Sequence, residues 1–142
     1  MTEPTLYLPF FVYGTLLPGE RNFGLWREAI ADMRPAVLGR ARLYDLGHFP
    51  MALDHLQGEV RGMVAWVRPS SYAVALSLLD QLEGVTWPWG NLGYRRARRI
   101  VRLTGGSSLV AWVYLGREAV VAGLEPIVVD WKRYRQQVVN AL

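Results

Sequence analysis

One carboxylate stands where its pKa should be raised. Glu83 closes the segment SYAVALSLLDQLEG, whose apolar residues recur at helical spacing, and Gly84 is a natural residue to end that helix. On a helical wheel Glu83 falls at the margin of the apolar stripe, between Leu76 and Leu79. Partial burial and the negative end of the helix dipole both disfavour a carboxylate there. Such a carboxyl suits proton transfer near neutral pH. The alternative is that it pairs with an arginine or reaches solvent.

A second candidate ends the first apolar run, in FFVYGTLLPGE. The run stops at Tyr13-Gly14-Thr15-Leu16. Where a strand turns sharply at a glycine, successive backbone N–H groups can converge on an anion, and glycine permits the close approach. Thr15 adds a hydroxyl and Tyr13 a phenol. Taken alone, this stretch is a turn. Taken with Glu83, it is better interpreted as half of a binding site.

Other familiar chemistries lack their residues. The chain has no cysteine, which excludes disulfides, a thiolate nucleophile and Cys-type zinc sites. Phosphate-loop, dinucleotide, zinc-protease and serine-hydrolase motifs do not occur in it. Of the two histidines, His48 is interpreted as a turn residue, and Asp54-His55 does not make a metal site, since neighbouring side chains rarely point the same way.

The elements that must position these residues follow from apolar patterning. A helix ends at Gly84, shorter helices are predicted over 22–31, capped by Asn22, and 130–140, and "VTWPWGNLG" is a loop. A hairpin is expected around Thr104-Gly105-Gly106-Ser107. This order does not alternate strictly, which argues against a doubly wound sheet and favours an α+β fold, a small, mostly antiparallel barrel or curved sheet with helices outside. The predicted strands are 6–13, 37–46, 60–67, 94–103 and 109–115.

The length and the charge distribution of the chain bear on the number of domains and on nucleic-acid binding. The 142 residues suit a single domain, 1–142. The net charge of +4 is more than accounted for by arginines of one predicted strand, which are split between its two faces. That arrangement is poor for tracking phosphates, so nucleic acid is disfavoured, and some of these arginines are expected to meet Asp80, Glu83 or an anionic substrate. Without a membrane-length apolar run or signal-peptide features, a cytoplasmic location is predicted. The arginines are Arg95, Arg96, Arg98, Arg99 and Arg102.

In combination these segments resemble the γ-glutamylcyclotransferase-like superfamily, especially its γ-glutamylamine cyclotransferase and AIG2-like branch. The resemblance covers about residues 10–116, with the blocks in the family's order. It implies a small mixed β-barrel flanked by helices and a catalyst without metal or organic cofactor. The matching blocks are FVYGTLLPGERN (11–22), ARLYDLGHFPMA (41–52), VRGMVAWV (60–67), LLDQLEGV (78–85), YRRARRIV (94–101) and AWVYL (111–115).

The resemblance also implies roles for individual residues. The backbone of Tyr13, Gly14, Thr15 and Leu16 would hold the α-carboxylate or α-amino end of a γ-glutamyl group. Glu83 would take a proton from the α-ammonium, and the freed amine would attack the γ-carbonyl of the same molecule. Glu83 could then return the proton to the departing amine, which gives 5-oxoproline and a free amine. Tyr94 matches a family tyrosine near the pocket and is a second candidate for substrate binding.

Two departures and one alternative remain open. Val128 and Val129 stand where relatives carry small residues before the Asp-Trp pair, which puts that loop's part in the site in doubt. Trp87 and Trp89 could form an apolar lid over the leaving amine or merely cover the edge of the core. The alternative function is a non-catalytic small-molecule-binding or regulatory member of the same superfamily. The sequence does not identify the γ-glutamyl substrate, nor decide between a monomer and a homodimer.

Overall fold

The computed structural model describes residues 7–47, 49–84 and 94–141. These residues form a five-stranded mixed β-barrel with three α-helices, which confirms the predicted fold class. Long strands alternate buried and exposed residues over much of their length, as expected when one face lines a core. The elements are β1 (Phe10–Val12), β2 (Ile30–Asp45), β3 (Pro50–Val67), α1 (Tyr72–Leu82), β4 (Arg95–Leu103), β5 (Ser108–Leu115), α2 (Glu118–Val121) and α3 (Trp131–Ala141).

The barrel has the strand order β1-β3-β2-β4-β5. A parallel pairing between β1 and β5 closes it, with Phe10 opposite Trp112 and Phe11 opposite Val113. The β1–β3, β2–β3, β2–β4 and β4–β5 pairings are antiparallel. At Gly62 of β3, a Cβ atom would collide with the carbonyl oxygen of Val12. Glycine therefore allows β1, and the site residues that follow it, to lie directly against β3.

The hairpin β4–β5 agrees with the sequence prediction. Its strands pair from Arg95 opposite Leu115 to Arg102 opposite Ser108. Gly106 in the connecting turn has φ of 105°, a left-handed conformation that favours glycine. The hairpin brings β5 beside β1, so residues more than a hundred positions apart in the chain can meet at the site.

The predicted helix over 22–31 is wrong. Two short 3₁₀ turns, Phe23–Leu25 and Arg27–Ala29, occupy this segment, and β2 already begins at Ile30. Asn22 makes no side-chain cap. Tertiary contacts override the local pattern, because the indole of Trp26 is buried and donates a hydrogen bond to the carbonyl of Leu16. The segment braces the loop after β1.

The helix before Glu83 is confirmed as α1, and Gly84 follows it with φ of 75°, as a helix-ending glycine requires. The predicted terminal helix is present as α3, whose first residue Trp131 packs into the core beside Ile127 and Leu43. Among the described residues no helix is long and apolar enough to cross a membrane. The cytoplasmic location stays a prediction.

Candidate active site

One small cavity lies where β1 ends, between the loop after β1, the turn before β3 and the end of α1. Its volume of about 20 Å³ is room for about one water molecule, so a larger ligand must displace lining side chains. A larger groove of about 780 Å³ on the outer face of β2 and β3 includes none of the site residues that the sequence analysis selected. All of those residues line the small cavity: Tyr13, Gly14, Thr15, Leu16, Glu83 and Tyr94. Their roles in binding and catalysis stay predictions.

Glu83 directly follows the last residue of α1. Its backbone N–H donates to the carbonyl of Leu79 at 3.0 Å, and the left-handed Gly84 then turns the chain away. The side chain is partly buried. Burial raises the pKa of the Glu83 carboxyl from 4.5 to about 7. Near neutral pH this group therefore exists in both protonation states, which is the property a proton-transfer group needs.

The loop after β1 turns back on itself over residues 14–17. The N–H of Leu17 donates to the carbonyl of Gly14 at 3.0 Å. On the far side, Asn22 bonds both the backbone carbonyl and the hydroxyl of Thr15, at 3.0 and 3.1 Å. Among the described residues the backbone N–H groups of Thr15 and Leu16 have no hydrogen-bond acceptor. Adjacent N–H groups without an acceptor in the described part of the chain could bind an anionic group, and the role of this loop as a backbone cradle stays a prediction.

Gly14 is required by packing against the neighbouring turn. A Cβ at this position would lie 2.5 Å from Cγ and 2.8 Å from Cδ of Pro50. The sequence analysis attributed the glycine to the close approach of a ligand. The structure instead places the ring of Pro50 against it, so the glycine sets the distance between the loop after β1 and the start of β3.

Two predicted tyrosines are fixed in the cavity wall by bonds to backbone. The hydroxyl of Tyr13 donates to the carbonyl of Tyr114 at 2.6 Å and accepts from the N–H of Ala52 at 3.1 Å. The hydroxyl of Tyr94 donates to the carbonyl of Pro50 at 2.5 Å. Burial raises the pKa of both phenols, and the nearby Glu83 charge adds to the rise in each. Both therefore stay neutral and serve as hydrogen-bonding groups rather than as bases.

Sequence reasoning missed Tyr114, which lines the same cavity from β5. Its hydroxyl donates to Oδ1 of Asp80 at 2.7 Å, and Nε of Arg96 donates to the same oxygen at 2.9 Å. Asp80 is only 5% exposed and lies one helical turn before Glu83. The sequence feature that could have pointed to this contact is a second acidic residue, Asp80, three positions before Glu83. Arg96 meets Asp80, as expected of some of the arginines.

The other arginines of β4 also have partners. Arg95 and Arg99 lie on one face and both pair with Asp54, at 3.2 and 2.5 Å. Arg102 pairs with Glu59 at 3.5 Å, and Arg98 lies 5.9 Å from the ring centre of Trp112. A strand on which four of the five arginines already pair with carboxylates offers little for a phosphate backbone. The absence of nucleic-acid binding stays a prediction.

Several residues named in the sequence analysis lie away from the small cavity or outside the described residues. His48, Trp87 and Trp89 lie outside the described residues. His55 is exposed and bonds to the backbone of Gln57, and the described residues contain no group of three or more His, Asp or Glu that could hold a metal ion. Val128 and Val129 line a surface groove beside β3, away from the cavity.

Comparison with known proteins decides the family. The family model described as gamma-glutamyl cyclotransferase, AIG2-like, matches residues 10–134. The chain belongs to this family. No curated protein matches it significantly in sequence.

Solved structures share its fold at low sequence identity. YkqA from Bacillus subtilis is 21% identical, with a TM-score of 0.69 over 96% of this chain, which spans only 44% of YkqA. An AIG2-like protein (GGACT) from Mus musculus is 23% identical with a TM-score of 0.65, over 85% of this chain and 86% of that one. An uncharacterized protein from Pyrococcus horikoshii is 18% identical with a TM-score of 0.64, over 94% and 97%.

Proposed function

We propose that the protein is a cofactor-independent cyclotransferase that converts a γ-glutamyl amine or γ-glutamyl amino acid to 5-oxoproline and a free amine. The observation that carries the proposal is that one cavity is lined by a carboxyl whose pKa is raised and by two residues whose backbone N–H groups have no acceptor among the described residues. The carboxyl is that of Glu83, whose pKa burial raises to about 7. The donors are the N–H groups of Thr15 and Leu16. Membership of a family that includes γ-glutamyl cyclotransferases supports the same reaction class.

The two ends of a γ-glutamyl group match the two kinds of polar group around the cavity in charge and hydrogen-bonding character, once side chains move to admit the substrate. The N–H groups of Thr15 and Leu16 are donors, so they suit the α-carboxylate. Glu83 is an acceptor when ionised, so it suits the α-ammonium. Bound in this direction, the substrate places its ammonium beside the base, and its flexible side chain can fold the γ-carbonyl back toward the nitrogen.

The reaction then needs one proton carrier. The Glu83 carboxylate takes a proton from the α-ammonium, and the neutral amine attacks the γ-carbonyl carbon. A five-membered ring forms with a tetrahedral oxyanion. As the oxyanion collapses, the bond to the leaving amine breaks and protonated Glu83 gives its proton to that nitrogen. The regenerated Glu83 carboxylate then takes the second proton from the positively charged ring nitrogen, which leaves the neutral lactam, and passes it to the departing amine, which leaves as an ammonium ion. Because the nucleophile is tethered, the protein gains rate by folding the substrate into the attack geometry.

The direct test is an assay of 5-oxoproline release from a panel of γ-glutamyl amines and γ-glutamyl amino acids. We expect product from at least one compound. If none of them yields 5-oxoproline, the cyclotransferase proposal fails, and a small-molecule-binding role without turnover remains for the cavity.

A variant tests the base. Glu83→Gln keeps the shape of the side chain but cannot carry the proton, so we expect kcat to fall by about two to four orders of magnitude. Glu59→Gln, on an exposed residue of β3, is the matched control and should keep wild-type turnover. Near-normal turnover by Glu83→Gln would exclude Glu83 as the base.

A further inference from the structure

The hydroxyl of Tyr114 has its only proton committed outside the cavity. A phenol has one O–H donor and two acceptor lone pairs. The Tyr114 proton points to Oδ1 of Asp80 at 2.7 Å, and Arg96 holds that oxygen with a second bond of 2.9 Å. The guanidinium of Arg96 also lies 4.3 Å from the ring centre of Trp112, which fixes it from the other side. Within the described part of the chain nothing donates to the phenol oxygen, so its lone pairs can accept from a ligand group beside Tyr114.

The protons of the other two phenols of the cavity are also committed to acceptors within the protein. Tyr13 donates to the carbonyl of Tyr114 and Tyr94 donates to that of Pro50. Glu83 adds a carboxylate, and its negative charge contributes to the raised pKa of Tyr13, Tyr94 and Tyr114. This end of the cavity thus presents hydrogen-bond acceptors from its titratable side chains. A ligand group with several N–H donors and a positive charge satisfies such a set, whereas a hydroxyl supplies one donor and a carbonyl none.

We propose that Tyr114 is a substrate-contacting residue, whose hydroxyl oxygen accepts a hydrogen bond from the α-ammonium, and that Asp80, held by Arg96, is a positioning residue that keeps the phenol proton out of the cavity. The inference rests on the proposed function, because that function supplies the ammonium. When Glu83 has removed one proton, the amine keeps two N–H bonds. A bond from one of them to Tyr114 fixes the direction of the nitrogen lone pair toward the γ-carbonyl.

The pair Asp80 and Tyr114 also joins α1 to β5, so a purely structural role must be separated from a role in recognition. Two ligands that differ only in the α-ammonium separate the structural role from the role in recognition. γ-Glutamylbenzylamine carries the α-ammonium, and N-glutarylbenzylamine lacks only that group. A structural defect weakens both ligands, whereas loss of an ammonium acceptor weakens only the first.

The first experiment compares wild type with Tyr114→Phe, which removes the hydroxyl and keeps the ring. We expect kcat/KM for γ-glutamylbenzylamine to fall about 10- to 100-fold, as for a hydrogen bond to a charged group. The inhibition constant of N-glutarylbenzylamine should stay within about twofold. An equal loss for both ligands, or unchanged kcat/KM, overturns the role of Tyr114. The matched control is Tyr134→Phe: its hydroxyl donates to Oδ2 of Asp45 outside the cavity, so both constants should remain those of wild type.

The second experiment tests whether Asp80 acts through Tyr114. In Asp80→Asn the amide can donate to the phenol oxygen, so the phenol proton is free to turn into the cavity. We expect this variant to lose selectivity for the ammonium ligand in the wild-type background and to have no further effect in the Tyr114→Phe background. Independent, multiplicative losses would show that Asp80 does not act through Tyr114.

A binding experiment distinguishes failure of the Tyr114 contact from failure of the proposed cyclotransferase activity. If wild type does not cyclise γ-glutamylbenzylamine, the same comparison is made by calorimetric titration of the two ligands. Selective loss of γ-glutamylbenzylamine binding in Tyr114→Phe then supports the ammonium contact without turnover. Equal loss, or no binding of either ligand to wild type, overturns it.

Discussion

Replacing Glu83 by glutamine should make the protein more stable at neutral and alkaline pH while it removes the proposed activity. The pKa of Glu83 is raised by burial from 4.5 to about 7. The folded state therefore binds this proton more tightly than the unfolded state does. The stabilisation that comes from this tighter proton binding is fully present below pH 4.5 and is lost as the pH rises through 7. Above that pH the penalty reaches about 3 kcal/mol.

Glutamine resembles the protonated acid in shape and polarity but does not titrate. Glu83→Gln should therefore match wild type within about 1 kcal/mol at pH 5 and exceed it by about 3 kcal/mol at pH 8.5. Urea unfolding at a series of pH values between these limits measures the difference directly, provided that the slope with denaturant is unchanged.

The control for this measurement is Glu59→Gln. The side chain of Glu59 is 53% exposed and pairs with Arg102 at the surface, so its replacement should change stability by less than about 0.5 kcal/mol at any pH. A Glu83→Gln variant whose advantage does not grow with pH would refute the reasoning, because a carboxyl with an ordinary pKa incurs no penalty on ionisation.

The remaining predictions concern activity. The kcat/KM for γ-glutamyl substrates should rise with pH through about 7, since only ionised Glu83 can accept the proton, and a flat profile between pH 5.5 and 8.5 would contradict its role as the base. Gly14→Ala should destabilise the fold by about 1–3 kcal/mol in urea unfolding and lower kcat/KM at least about tenfold, because the new methyl meets Pro50. Gly24→Ala, where a Cβ meets nothing within 4 Å, is its control, and equal behaviour of the two variants would exclude the packing argument.

Local patterns predicted the parts of this protein that local physics controls. The helix before Glu83, its terminal glycine and the β4–β5 hairpin follow from apolar spacing and turn residues. The wheel made Glu83 a candidate, the family resemblance assigned it the proton-transfer role, and that role stays a prediction. The family resemblance supplied what the pattern could not, namely which distant turn shares a cavity with that carboxyl.

The errors arose where distant residues decide local structure. Residues 22–31 have helical spacing, but Trp26 is drawn into the core by a bond to Leu16, and the chain forms short turns instead. Tyr114 was missed because nothing in β5 indicates that its hydroxyl meets Asp80 on α1. Contacts of this kind depend on how the barrel closes, which apolar spacing does not specify.

Because β1 closes the barrel, the cavity at its end is completed late in folding. β1 is three residues long and is paired on one side with β3 and on the other with β5. The bond that fixes Tyr13 to the carbonyl of Tyr114 spans 101 residues of chain. Contacts of such separation form late, since the loop between them must first be ordered. During synthesis the loop after β1 emerges early, but the cavity that it lines is complete only after β5 has left the ribosome and docked beside it.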